Sequence, residues 1–143
     1  MPAQDHSDVL INALLPFAQH MLAEHGEFLP FGSVINAEGQ VEALGGLSGD
    51  ERPHPQKQVE FMQNAAWAMA AQGLCKAAGL CVAVQVQLPG TEGRTDAAMA
   101  ILEDATGAIQ VFLPFTKNSD GSYEYGDLTA NHAEPSIFVA SAG

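Results

Sequence analysis

Leu80-Cys81-Val82-Ala83-Val84-Gln85-Val86-Gln87-Leu88 changes the rhythm of the chain from helical to alternating. A period of two puts Val82, Val84, Val86 and Leu88 on one side of a half-buried strand. Gln85 and Gln87 fall on the other side, so the valines are expected to face the helices. The same punctuation continues downstream. Pro89-Gly90-Thr91-Glu92-Gly93 turns the chain into a strand over 97–103, and Asp104-Ala105-Thr106-Gly107 reads as a hairpin turn. A strand over 108–115 carries Ile109, Val111, Leu113 and Phe115 on one side and Phe112 on the other. Asn118-Ser119-Asp120-Gly121 leads into a short strand over 122–125, and the tail around Ile137, Phe138 and Val139 is expected to add an edge strand.

Upstream, residues 56–78 read as a helix with Val59, Met62, Ala66, Met69 and Gly73 on one face, widened by Phe61, Ala65 and Trp67. Gly79 is expected to end it. Before it, residues 45–55 are a loop rich in Gly and Pro. Two apolar runs flank Asn36-Ala37-Glu38-Gly39 and form a β-hairpin. The first segment, 5–25, has Leu10, Leu14, Phe17 and Met21 at helical spacing, with Gly26 placed to stop it. Pro16 removes a hydrogen bond from that helix at a cost of about 3 kcal/mol, which predicts a kink or a short first turn.

These elements fit one α+β domain over 1–143. The expected architecture is two layers, an antiparallel sheet of five or six strands with both helices packed on one face, in the order αββαβββ. That order is similar to roadblock and other profilin-like domains over roughly residues 5–115, a likeness that implies a fold and no activity. The runs Gly26-Glu27-Phe28-Leu29-Pro30-Phe31 and Phe112-Leu113-Pro114-Phe115 also resemble a set of small uncharacterised bacterial proteins with a G-E-F-x-P-F opening and a later F-x-P-aromatic strand.

Composition narrows the partners. Five Lys and Arg against 17 Asp and Glu give a formal charge of -12, and Arg52, Lys57, Lys76, Arg94 and Lys117 are scattered singly. Such a surface repels a phosphate backbone and an anionic membrane, so neither nucleic acid nor membrane is an expected partner. It favours a basic protein. The N-terminus lacks a basic stretch before an apolar run, and no apolar stretch approaches a bilayer's thickness, which together suggest a cytoplasmic chain. Cys75 and Cys81 then read as reduced, buried thiols.

No catalytic motif emerges. His20 and His25 are five residues apart, which misses the one-face spacing of a helical zinc site, and two cysteines cannot complete another. Neither a metal nor any other cofactor is expected. The Gly45-Gly46-Leu47-Ser48-Gly49 run has no following Gly-Lys-Ser/Thr, so a phosphate cradle is not expected. Glu103 and Asp104, at a strand end, are expected to be exposed and a poor catalytic pair. The candidate binding residues are Asp50, Glu51, Arg52 and His54 of the long loop, together with Phe112 on an apolar sheet face.

The first reading is therefore a binding or interaction domain, an adaptor or an acidic inhibitor of a basic protein. Self-association into a homodimer would use the face of Phe112 with Ala98, Ala100 and Leu102, unless the C-terminal residues fold back over it. The alternative is an enzyme of unfamiliar type using His54 or His132 with loop carboxylates.

Overall fold

In the computed structural model the described residues are 4–44, 55–87, 93–135 and 137–138. Two helices, α1 (Gln4–His25) and α2 (Pro55–Ala71), join seven strands: β1 (Phe31–Asn36), β2 (Val41–Ala43), β3 (Cys75–Val86), β4 (Thr95–Asp104), β5 (Gly107–Lys117), β6 (Tyr123–Tyr125) and β7 (Thr129–Ala133). All strand pairs are antiparallel, in the order β2-β1-β3-β4-β5-β6, with β7 also on β5. Among the described residues the sheet thus has seven strands rather than five or six.

α1 is a single 22-residue helix that includes Pro16. Its buried row is Leu10, Leu14, Ala18 and Leu22, joined by Leu15. Pro16 faces water, where the carbonyl it leaves unpaired can be hydrated. Phe17 is 47% exposed rather than core, although its ring meets Phe31 edge-on at 4.8 Å. Gly26, at φ +74, closes the helix by donating its N–H to Leu22 at 2.8 Å.

α2 ends at Ala71, and Gly73 at φ +72 turns the chain; residues 75–78, expected as helix, are strand. Pairing overrides their helical propensity, because Ala77 lies opposite Ile35 and Ala78 opposite Val34. Phe61 and Trp67 lie on the exposed side of α2, while Met62 and Ala66 are buried.

Neighbouring residues of β1 and β3 enter different clusters. Ile35, Ala77 and Cys81 pack with Leu10, Leu14 and Leu22 of α1, whereas Val34 and Ala78 pack with Ala66 and Met69 of α2. Because adjacent strand residues point to opposite faces, the two helices cover opposite faces of the sheet. This corrects the expectation of both helices on one face. Val82, Val84 and Val86 do share the α2 side, yet they are only half buried, and Gln85 and Gln87 are exposed. The tightest packing lies upstream of the valines, at Ala77 to Cys81. Both faces being buried there explains why that part of β3 is apolar without alternation.

On its outer edge β5 pairs first with β6 and then with β7. From Tyr125 to Thr129 the chain advances one residue more than β5 does between Phe115 and Phe112, so the edge bulges. Pro114 explains the position. Its carbonyl accepts from Gly126 N at 2.9 Å, so its missing N–H lies on the same edge and the ladder must break there. β7 lies at 129–133, ahead of the expected tail strand.

Candidate functional site

The α2 side of the sheet is built by alternate residues of β3, β4 and β5. Across β3 and β4 the partners are Ala78 with Glu103, Leu80 with Ile101, Val82 with Met99, and Val84 with Ala97. Met99 in turn lies opposite Phe112. Phe112 therefore joins Ala97, Val84, Val86 and Met99 in one cluster. Ala98, Ala100 and Leu102, expected beside Phe112, are instead buried against α1. A one-residue difference in register moved that whole set to the other face. Phe112 is 7% exposed, so it belongs to the layer's interior and is not itself a free contact residue.

Two ends of this face differ. At the Glu103 end residues 137–138 lie over it: Ile137 is 3% exposed and packs with Val34, Ala66 and Ala78. The Glu103 carboxylate, 0% exposed, accepts the backbone N–H of Ile137 at 2.7 Å and that of Phe138 through the same oxygen. The sequence placed this glutamate in water; in the fold it holds residues 137–138. Asp104 is buried too, on the α1 side, where its two oxygens divide their work. Oδ2 accepts from His6 Nδ1 at 2.9 Å, and Oδ1 accepts the Thr106 N–H at 2.8 Å and the Thr106 hydroxyl. The adjacent carboxylates thus point to opposite faces and hold structure.

At the other end lies a groove of about 340 Å³ between the start of α2, the 28–30 segment and the sheet. Among the described residues Phe28, Pro30, Val59, Leu80, Val82, Ala83, Val84, Met99 and Ile101 line it, with Gln56 as the one polar wall residue. The signal for it in sequence was the valine alternation; Phe28, Pro30 and Val59 could not be added without the tertiary arrangement.

Asp50, Glu51, Arg52 and His54 lie outside the described residues. His132 sits on β7 opposite Ile109, on the α1 side, so it does not share the groove. Among the described residues no group of three or more His, Cys, Asp and Glu could hold a metal ion. Cys75 and Cys81 are free and buried, and burial pushes the Cys81 thiol up to about 12, which leaves it inert as a nucleophile. No helix among the described residues is long and apolar enough to cross a membrane. No family model matches the chain, and no curated protein or solved structure is significantly similar to it.

Proposed function

We propose that this chain is a protein-binding domain, an adaptor or inhibitor that receives an apolar segment of a basic partner in the groove on the α2 side. The observation that carries this reading is the groove's lining, among the described residues nine apolar and one glutamine, on a chain of charge -12. Apolar concavities with charged surroundings suit segments that combine an apolar anchor with basic flanks. The groove supplies affinity by burial, and the acidic surface supplies encounter rate and selection by sign. A groove of this size accepts a few side chains, so the rest of the contact would spread over the surface around it.

The test uses the purified chain as bait and compares it with Val84→Glu and Met99→Glu variants. Wild-type protein is expected to retain a basic partner at about 50 mM salt and to lose most of it at about 500 mM, as exposed charge pairs are screened. Both variants, with unchanged circular dichroism and melting cooperativity, are expected to lose it at either salt concentration. Retention by the glutamate variants, or retention indifferent to salt, would sink the proposal.

A further inference from the structure

Pro16, Gln19, His20 and Ala23 recur at i, i+3, i+4 and i+7 along α1 and so share one flank of the helix. On β6, Tyr123 and Tyr125 point to the same side of the sheet because they are two residues apart. Tyr125 lies opposite Phe115, and these three aromatic residues pack at the border of the α1 cluster. Between the helix flank and the strand lies an open cleft of about 700 Å³, within the roughly 300–1,000 Å³ of small-ligand sites. The β5–β6 turn adds Asp120, Gly121 and Ser122 to its lining.

Two of these groups are held in place by bonds within the fold. The Tyr123 ring meets Phe115 edge-to-face with centroids 5.9 Å apart, and its hydroxyl donates to the Gly26 carbonyl at 3.5 Å. Asp120 Oδ1 accepts the Ser122 hydroxyl at 2.6 Å and the Ser122 N–H at 2.9 Å. The hydroxyl's bond first, and then the N–H's, hold this carboxyl below its ordinary range, so it stays an acceptor.

We propose that this cleft binds a neutral carbohydrate, a pyranose C–H face on the tyrosine rings and its hydroxyls on Gln19, His20 and Asp120. The site lies on the α1 side of the sheet and goes beyond the protein-binding reading. Hydrogen-bonding type, rather than charge, selects the ligand. An amide, a phenol and a neutral imidazole each donate and accept, and so does a sugar hydroxyl. A pyranose whose hydroxyls point outward around the ring keeps a flat face of C–H groups. Phenol rings match it, with an apolar body and a polar tip. Tyr123 and Tyr125 are half-buried, with attachment points about 7 Å apart along the strand. An open cleft also lets the outer hydroxyls of the ligand keep their water.

Methyl glycosides of glucose, galactose, mannose and N-acetylglucosamine are titrated into the ¹⁵N-labelled full chain. Tetramethylammonium chloride serves as the rival ligand, a cation that phenol rings and a carboxylate would attract. At least one glycoside is expected to shift the amides of residues 19–23 and 120–125 along a saturating curve, with a dissociation constant on the order of 1–10 mM. Affinity should change by less than about twofold between about 50 and 500 mM salt, because no charge pair forms. Asp120→Asn keeps an acceptor for Ser122 and should weaken binding about threefold to tenfold. Ala23→Trp, at an exposed position of the helical wall, should fill the cleft and abolish the response. Saturation by none of the glycosides, shifts mapped elsewhere, or tighter binding of tetramethylammonium than of the best glycoside would each overturn the assignment. So would affinity unchanged by Asp120→Asn, or binding that survives Ala23→Trp.

Discussion

Gly79 lies in the middle of β3 with α1 directly above it. A Cβ at this position would stand 2.7 Å from Leu14 Cδ1 and 3.2 Å from Leu102 Cδ2, both in the packed core. Neither neighbour has space to retreat, since Leu14 and Leu102 are 0% exposed. Gly79→Ala is therefore expected to cost about 1–3 kcal/mol by overpacking, seen as a lower urea midpoint at unchanged slope. Two residues on, Cys81 reports the same close packing through its proton. Burial raises its thiol from the ordinary 9.0 to about 12, so the folded chain keeps a proton that the unfolded chain releases. The stability tied to that proton is complete below pH 9 and is lost as pH rises toward 12, at about 1.4 kcal/mol per unit. Urea melts of wild type and Cys81→Ala at pH 8 and pH 10.5 isolate it. The wild type should lose about 2 kcal/mol more than the variant between the two conditions; parallel losses would show that the thiol is not so held.

At the scale of elements, the β1–β2 hairpin shows what short-range sequence determines. Asn36 is 6% exposed, and its Oδ1 accepts the N–H of Glu38 at 3.0 Å and of Gln40 at 2.9 Å. Its Nδ2 donates to Glu42 at 3.2 Å, and Gly39 takes φ +88 to complete the turn. Asn36→Ala is expected to cost about 0.5–1.5 kcal/mol by removing the acceptor that the part-buried hydrogen bonds from Glu38 and Gln40 share. Asn36→Asp keeps both acceptor contacts but sets a carboxylate against Glu42, and should fall between the two in a denaturation series. Chain-local chemistry of this kind was legible in advance, as were the hairpin turn after Asp104 and the stop at Gly26. The end of α2 was not. Ala77 and Ala78 have helical propensity and become strand only because β1 lies beside them. β7 was hidden for a related reason: Thr129-Ala130-Asn131-His132-Ala133 has no apolar alternation, and its place is fixed by the free edge of β5. The groove was half legible, through its valines, while Phe28, Pro30 and Val59 join them only through the tertiary arrangement.

For the whole molecule, the decisive difference from the sequence reading is that the two helices cover opposite faces. Among the described elements α2 packs chiefly on β1 and β3. Ile137 adds to the cover beside α2, packing with Val34 of β1 and Ala78 of β3, and Glu103 of β4 accepts its N–H and that of Phe138. Burial of one isoleucine contributes about 1.5–3 kcal/mol, and a hydrogen bond to a charged acceptor about 1.5–3 kcal/mol. Residues 137–138 are therefore a few kcal/mol from release, a much smaller change than unfolding the sheet they cover. Ile137→Asp should free them: a carboxylate cannot occupy the site beside Val34 and Ala78 or approach the buried Glu103 charge without severe cost. The expected outcome is native circular dichroism, fast hydrogen exchange at Ile137 and Phe138 amide positions, and newly exposed apolar surface around Val34, Ala66 and Ala78. Contiguous apolar surface of that kind drives self-contact. Light scattering at tens of micromolar should then give a monomer for wild type, whose tail competes within the same chain, and a dimer or larger species for Ile137→Asp. A variant with a freed tail that stays monomeric would show that this face, once uncovered, does not bind a second copy.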